Sequence, residues 1–222
     1  MTHLIVFVHG ALSSHLSFAY IDQNLRAINP VSSRTEDEFI KRPFSYNVRE
    51  EEADAIVDRL VQSVTSWRDK YKARKLSFIA HSYGGVLAVE AVRRLDLTKA
   101  LPMPVNIVSM ASPYGGSSAA SFLKFLKPSS KMFKNIGRYD AFMRSFSAKP
   151  LTCRVRGLVT TGGGAEWIAE ENDGVVSVGS QLHFEKDPLW SGTKLDFNHF
   201  EVLLSDRTVR LIEKELLRDV LA

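Results

Sequence analysis

Cysteine is nearly missing from this chain: Cys153 is the only one in 222 residues. One thiol closes no intramolecular disulfide and builds no cysteine-based zinc site. Long apolar runs are missing as well. The first, LIVFV at 4–8, stops at His9-Gly10 with no basic residue before it, which is too short for the apolar core of a signal peptide. No stretch approaches the ~18 apolar residues of a membrane span. These two absences lead us to expect a soluble, cytoplasmic protein. Excess charge is also scarce: 29 Lys+Arg stand against 25 Asp+Glu, a formal +4. That balance is too weak to argue for nucleic acid. No histidine pair has metal-ligand spacing on a helix. Gly162-Gly163-Gly164 has no Lys-Ser/Thr after it and opens no helix, so it is not a phosphate loop. The reading therefore expects no cofactor and no metal.

The composition that is present, 45% hydrophobic and 24% charged, excludes disorder and low complexity. The length suits one domain, expected over 1–222. Short apolar runs at 4–8, 76–80, 104–112 and 151–161 read as buried strands. A short strand is expected at 193–197. FIKRPFSY at 39–46 reads as another strand, which Pro43 confines to an edge or breaks. Helical spacing is patchy at 15–28. It is clearest at 50–72, where Ala53, Val57, Leu60, Val64, Trp67 and Tyr71 share a face. Further helices are expected at 86–95 and at 205–222, the last with Ser205 as N-cap. Apolar strands alternating with helices imply an α/β fold with a mostly parallel sheet covered on both faces.

One strand runs directly into a turn of small residues and then a helix. Ala80-His81-Ser82-Tyr83-Gly84 is a G-x-S-x-G elbow with Ala in the first glycine position. Small residues two positions either side allow the sharp turn that lifts the hydroxyl above the sheet. The following helix then points its N-terminus at the place where negative charge develops.

With IVFVHGA at 5–11, AHSYGG at 80–85, MASPYGGSS at 110–118, NDGVVSVGSQ at 172–181 and NHFEVL at 198–203, the chain resembles the serine lipases and esterases of the α/β-hydrolase family. Three features depart from that pattern. Ala80 replaces a glycine, the turn after His9-Gly10 lacks further glycines, and the chain starts on the first core strand, as in a minimal version of the fold. The resemblance implies Ser82 as nucleophile, followed in chain order by an acid and a histidine. His183 and His199 both follow the elbow. His199 lies in a turn before the terminal helix and is taken as the base, whereas His183 has no such context. Asp173 matches the family's NDG segment, with Asp187 and Asp196 as competitors. The oxyanion hole would use the backbone N–H of Tyr83 and, by resemblance, that of Ala11. His9 is expected to hold its turn, and His81 is given no chemical role.

The implied activity is hydrolysis of a carboxylic ester through an acyl-enzyme. A thioesterase or acyltransferase would use the same residues, and an inert binding protein on the same fold is the alternative from another class. The implied partner is a small-molecule or lipid ester. Residues 113–150 interrupt the alternation where this family inserts a cap or lid. They carry Lys124, Lys127, Lys131, Lys134, Arg138, Arg144 and Lys149 against Asp140 alone. An anionic lipid surface is a candidate partner for them. Met132, Ile136, Tyr139, Met143 and Phe146 are spaced for one helical face, which would either line an acyl site or pack as ordinary core.

Overall fold

The computed structural model describes residues 1–26, 38–97, 103–116 and 136–218. Among them six strands form one sheet: β1 (Thr2–Val8), β2 (Glu38–Phe44), β3 (Lys75–His81), β4 (Val105–Met110), β5 (Arg154–Thr160) and β6 (Trp190–Leu195). Their order is β2-β1-β3-β4-β5-β6, and each neighbouring pair is parallel. Pro43 lies in β2, the edge strand expected to carry it. The central strands are apolar on both faces because both faces are covered. Leu4, Val6 and Val8 of β1 point into one core, and Ile5 and Phe7 into the other.

Helices supply the two covers. On the first face lie α2 (Ala53–Tyr71) and α3 (Tyr83–Leu97), following α1 (Ala19–Asn24) in the chain. Ile56, Val57, Leu60 and Val64 are the buried stripe of α2, and they pack with Val86, Leu87 and Val89 of α3 in one core cluster. Next come α4 (Ile136–Ser147), the single turn α5 (Val178–Gln181) and α6 (Asp206–Leu217). On the second face α6 sets Val209, Ile212 and Leu216 against Ile21 of α1 and Ile79, Val108 and Leu158 of the sheet. Ser205 caps α6 as expected, its hydroxyl accepting from the Arg207 N–H. Among the described residues no helix is long and apolar enough to cross a membrane.

The expected insertion is described at 113–116 and 136–150; Lys124, Lys127, Lys131, Met132 and Lys134 lie outside the described residues. The side chains of Ile136, Arg138 and Tyr139 also lie outside what is described; of the expected apolar face, Met143 and Phe146 are core, buried with Phe142, Tyr114 and Phe184. Arg93 of α3 anchors its end. The buried guanidinium donates to the carbonyls of Phe146 (3.0 Å), Lys149 (2.6 Å) and Pro150 (2.9 Å). It also pairs with Glu90 at 3.3 Å and lies over the Phe146 ring. The last turn of α4, through Phe146, and the chain just beyond it, through Lys149 and Pro150, are thus tied to the helix that follows the elbow.

Candidate active site

The parallel sheet gathers its strand ends on one edge, where such folds place their ligands. Ser82 follows β3 directly and opens onto α3 with φ +52°. This left-handed backbone costs a non-glycine residue about 1–2 kcal/mol. The surroundings hold it there. The Ser82 N–H donates to the Met110 carbonyl at 2.8 Å, and the Gly85 N–H to the Ser82 carbonyl at 3.0 Å. Gly84 is required by contact: a Cβ there would lie 2.1 Å from the Val8 carbonyl oxygen and 2.5 Å from that of His9. Gly10 lies against the elbow from the other side, its absent Cβ 3.2 Å from the Cβ of Ser82. This places the turn after β1, with Ala11, beside the serine. Tyr83 opens α3, so its N–H is among the first-turn donors that no intrahelical carbonyl satisfies.

His9 holds that turn, as the sequence suggested. Its Nδ1 lies 2.7 Å from the Gly10 carbonyl, and its Nε2 accepts from the Tyr46 N–H at 3.2 Å. Tyr46 also stacks on the ring at 4.3 Å and donates its hydroxyl to the His9 carbonyl at 2.7 Å. Burial holds the His9 pKa below its ordinary value, against the opposing pull of the Gly10 carbonyl.

Asp173 and His199 come together at 2.9 Å, Nδ1 to Oδ2. The Asp173 carboxylate gathers five donors. The N–H groups of Val175 (3.0 Å) and Val176 (2.8 Å) serve Oδ1. The Thr160 hydroxyl (2.6 Å), the Gln181 amide (3.3 Å) and His199 serve Oδ2. Burial alone would raise the Asp173 pKa; the donors, His199 first, reverse this and hold it below the ordinary carboxylate value. With Nδ1–H donating to Asp173, the neutral His199 ring keeps its basic nitrogen at Nε2.

The competing residues lie elsewhere. His183 is exposed and bonds the Ser147 carbonyl at 2.9 Å. Asp187 accepts from the Leu151 and Leu189 N–H groups. Asp196 is exposed beyond β6. Cys153 is buried and its thiol is pushed up to about 12 by that burial, which leaves it inert as a nucleophile. An open cavity of about 600 Å³ adjoins the acid loop, lined by Gly116, Trp167, Glu170, Val175, Ser180 and His183 among others. Sequence reasoning missed Thr160 and Gln181. The one available signal was the polar end of β5, a threonine closing an apolar strand.

Solved structures share this architecture. The mature lipase BlEst2 of Bacillus licheniformis superposes with TM-score 0.67 at 17% identity, over 96% of this chain and 91% of that one. The product of gene lin2722 from Listeria innocua gives 0.65 at 14%, over 97% and 94%. Human thioesterase 2 gives 0.54 at 17%, over 98% and 94%. At such identities the likeness is one of fold, the α/β-hydrolase fold. Among curated proteins none matches the sequence. A family resemblance narrower than the fold comes from the first two thirds of the chain. Residues 1–141 match the family described as "Putative serine esterase (DUF676)", to which this protein belongs.

Proposed function

We propose that the protein hydrolyses carboxylic esters with Ser82 as nucleophile, His199 as base and Asp173 as its orienting acid. The observation that carries this reading is the buried His199–Asp173 contact, formed on the same sheet edge as the serine elbow. Membership of an esterase family supports it. In this scheme His199 Nε2 takes the Ser82 proton as Oγ attacks the acyl carbonyl. The tetrahedral oxyanion is met by the N–H groups of Tyr83 and Ala11. The leaving alkoxide takes the proton back from His199, and water deacylates the enzyme through the same base. Asp173 stays ionised and stabilises the imidazolium. The basic residues between 113 and 150 support a lipid ester at an anionic surface. A thioester or a second acyl acceptor would use the same residues.

A fluorophosphonate probe and a series of p-nitrophenyl esters test the reading. The wild-type chain should label at Ser82 and turn over at least one ester. Ser82→Ala should lose labelling and about 10³-fold or more in turnover with an unchanged melting temperature. An unlabelled wild-type serine would establish the inert binding protein instead.

A further inference from the structure

His81 is the last residue of β3 and is covalently joined to Ser82. Its ring is buried and lies 4.8 Å from that of His199, centroid to centroid. Its Nε2 sits 2.8 Å from the main-chain carbonyl of His199. A carbonyl can only accept, so Nε2 carries the proton and Nδ1 of the neutral ring is bare. Among the described residues Nδ1 finds no hydrogen-bond partner. It faces Gly10, whose absent Cβ would lie 3.2 Å from it. The same ring therefore touches the loop of the base with one nitrogen and the turn after β1 with the other.

His199 is in consequence held at three points. Its N–H donates to the Asp173 carbonyl at 2.9 Å, its Nδ1 to the Asp173 carboxylate, and its carbonyl accepts from His81. Two of these ties belong to the acid loop. The third alone comes from the strand that carries the serine. Burial first, then the charge on His199 and more weakly that on His9, brings the His81 pKa down to about 3, against the opposing pull of the His199 carbonyl and the Asp173 carboxylate. The ring thus stays neutral when the adjacent His199 becomes an imidazolium. A buried imidazole with one nitrogen unsatisfied costs more than an apolar side chain of the same shape. What the imidazole supplies at this position is its Nε2 donor.

We propose that His81 is a positioning residue that registers the base against the nucleophile, its Nε2–H fixing the His199 main chain to the Ser82 strand while its other edge spaces the Gly10 turn. The proposal rests on His199 acting as the base for Ser82. Loss of the donor leaves His199 oriented on Asp173 but loosened relative to Ser82, so the acylation step suffers while substrate binding does not.

The test compares His81→Leu, His81→Gln and His81→Asn. Leucine should lower kcat by about 10²-fold, the scale of an ångström-sized misplacement, with KM nearly unchanged and phosphonate labelling slowed in parallel. Glutamine, whose amide nitrogen stands in for Nε2, should recover most of the rate. Asparagine, whose amide falls at the Nδ1 position, should not. Nitrogen-15 NMR of the wild-type imidazoles needs no variant and should show His81 as the Nε2–H tautomer. An Nδ1–H tautomer, equal rates for the glutamine and asparagine variants, or an undiminished kcat in the leucine variant would each overturn the proposal. A wild-type chain that neither labels nor turns over ester would overturn the hydrolase reading itself, and this inference with it.

Discussion

Ser82 and Asp173 both lie beyond the C-terminal ends of parallel strands, yet the chain fixes them by different means. Ser82 is held by shape. The elbow turns within one residue, its φ is +52°, and Gly84 sits where any side chain would overlap the backbone after β1. Asp173 lies 13 residues beyond Thr160, the end of β5. It is held by hydrogen bonds from two backbone amides, a threonine, a glutamine and a histidine. The small residues that permit this shape stand next to the serine in sequence, although the backbone they clear belongs to β1 and its turn. The hydrogen bonds come from wherever the fold delivers donors. A steric site should therefore fail abruptly, and a hydrogen-bonded one by degrees.

The largest expected effect strikes the hydrogen-bonded side at its centre. Asp173→Asn should cost about 10⁴-fold in kcat, the scale for a triad aspartate that can no longer fix the imidazole tautomer. His183→Ala and Asp196→Asn should stay within a few-fold of wild type. A dead His183 variant beside an active His199 variant would reverse the assignment.

Gly84→Ala tests the steric side. With 2.1 Å to a main-chain oxygen and no flexible side chain to yield, it should destabilise by at least about 3 kcal/mol, read as a urea midpoint. A near-neutral result would show that the elbow tolerates movement and that the contrast with the acid loop is false.

Thr160→Val removes one donor of five and should cost about 2 kcal/mol, with kcat falling only several-fold. Its pH dependence has a definite sign. The folded pKa of Asp173 is depressed, so its contribution is present above the unfolded value of ~3.9 and is lost as pH falls through the folded one. The valine variant raises the folded pKa. The gap between the two proteins in a urea titration should therefore close as the pH approaches the acid limit.

The smallest effect is a control on positive φ. Lys72 ends α2 in the left-handed region at φ 49°, as Ser82 does after β3. No hydroxyl is needed there. Lys72→Gly should gain roughly 0.5–1 kcal/mol by relieving the backbone and leave ester turnover untouched.

The contrast also explains what was legible beforehand. Strand–turn–helix periodicity and small residues marked the elbow at Ala80–Gly84, because the residues that make the turn are consecutive in the chain, whatever distant backbone they pack against. Pro43 marked the edge strand for the same reason: a missing N–H is a property of the residue itself. The remaining strands and their parallel sheet followed from the alternation of apolar runs and helices, but their order across the sheet did not. His199 and Asp173 were reached only through resemblance to a family, since neither a turn histidine nor an Asn-Asp-Gly turn is distinctive alone. Thr160, Gln181 and His81 were not reached. A threonine at a strand end, a glutamine in a single-turn helix and a histidine beside a serine are each unremarkable in sequence.

By itself the sequence determined the sheet, its two covers and the serine elbow, because hydrophobic period and local sterics are written into consecutive residues. Only the tertiary structure decided which donors surround Asp173 and that His81 holds the carbonyl of a residue 118 positions away. It also decided that Arg93 of α3 closes the end of α4. A hydrogen bond depends on where two groups lie to within a few tenths of an ångström, and for residues far apart in the chain that distance is fixed only once the packed layers have formed.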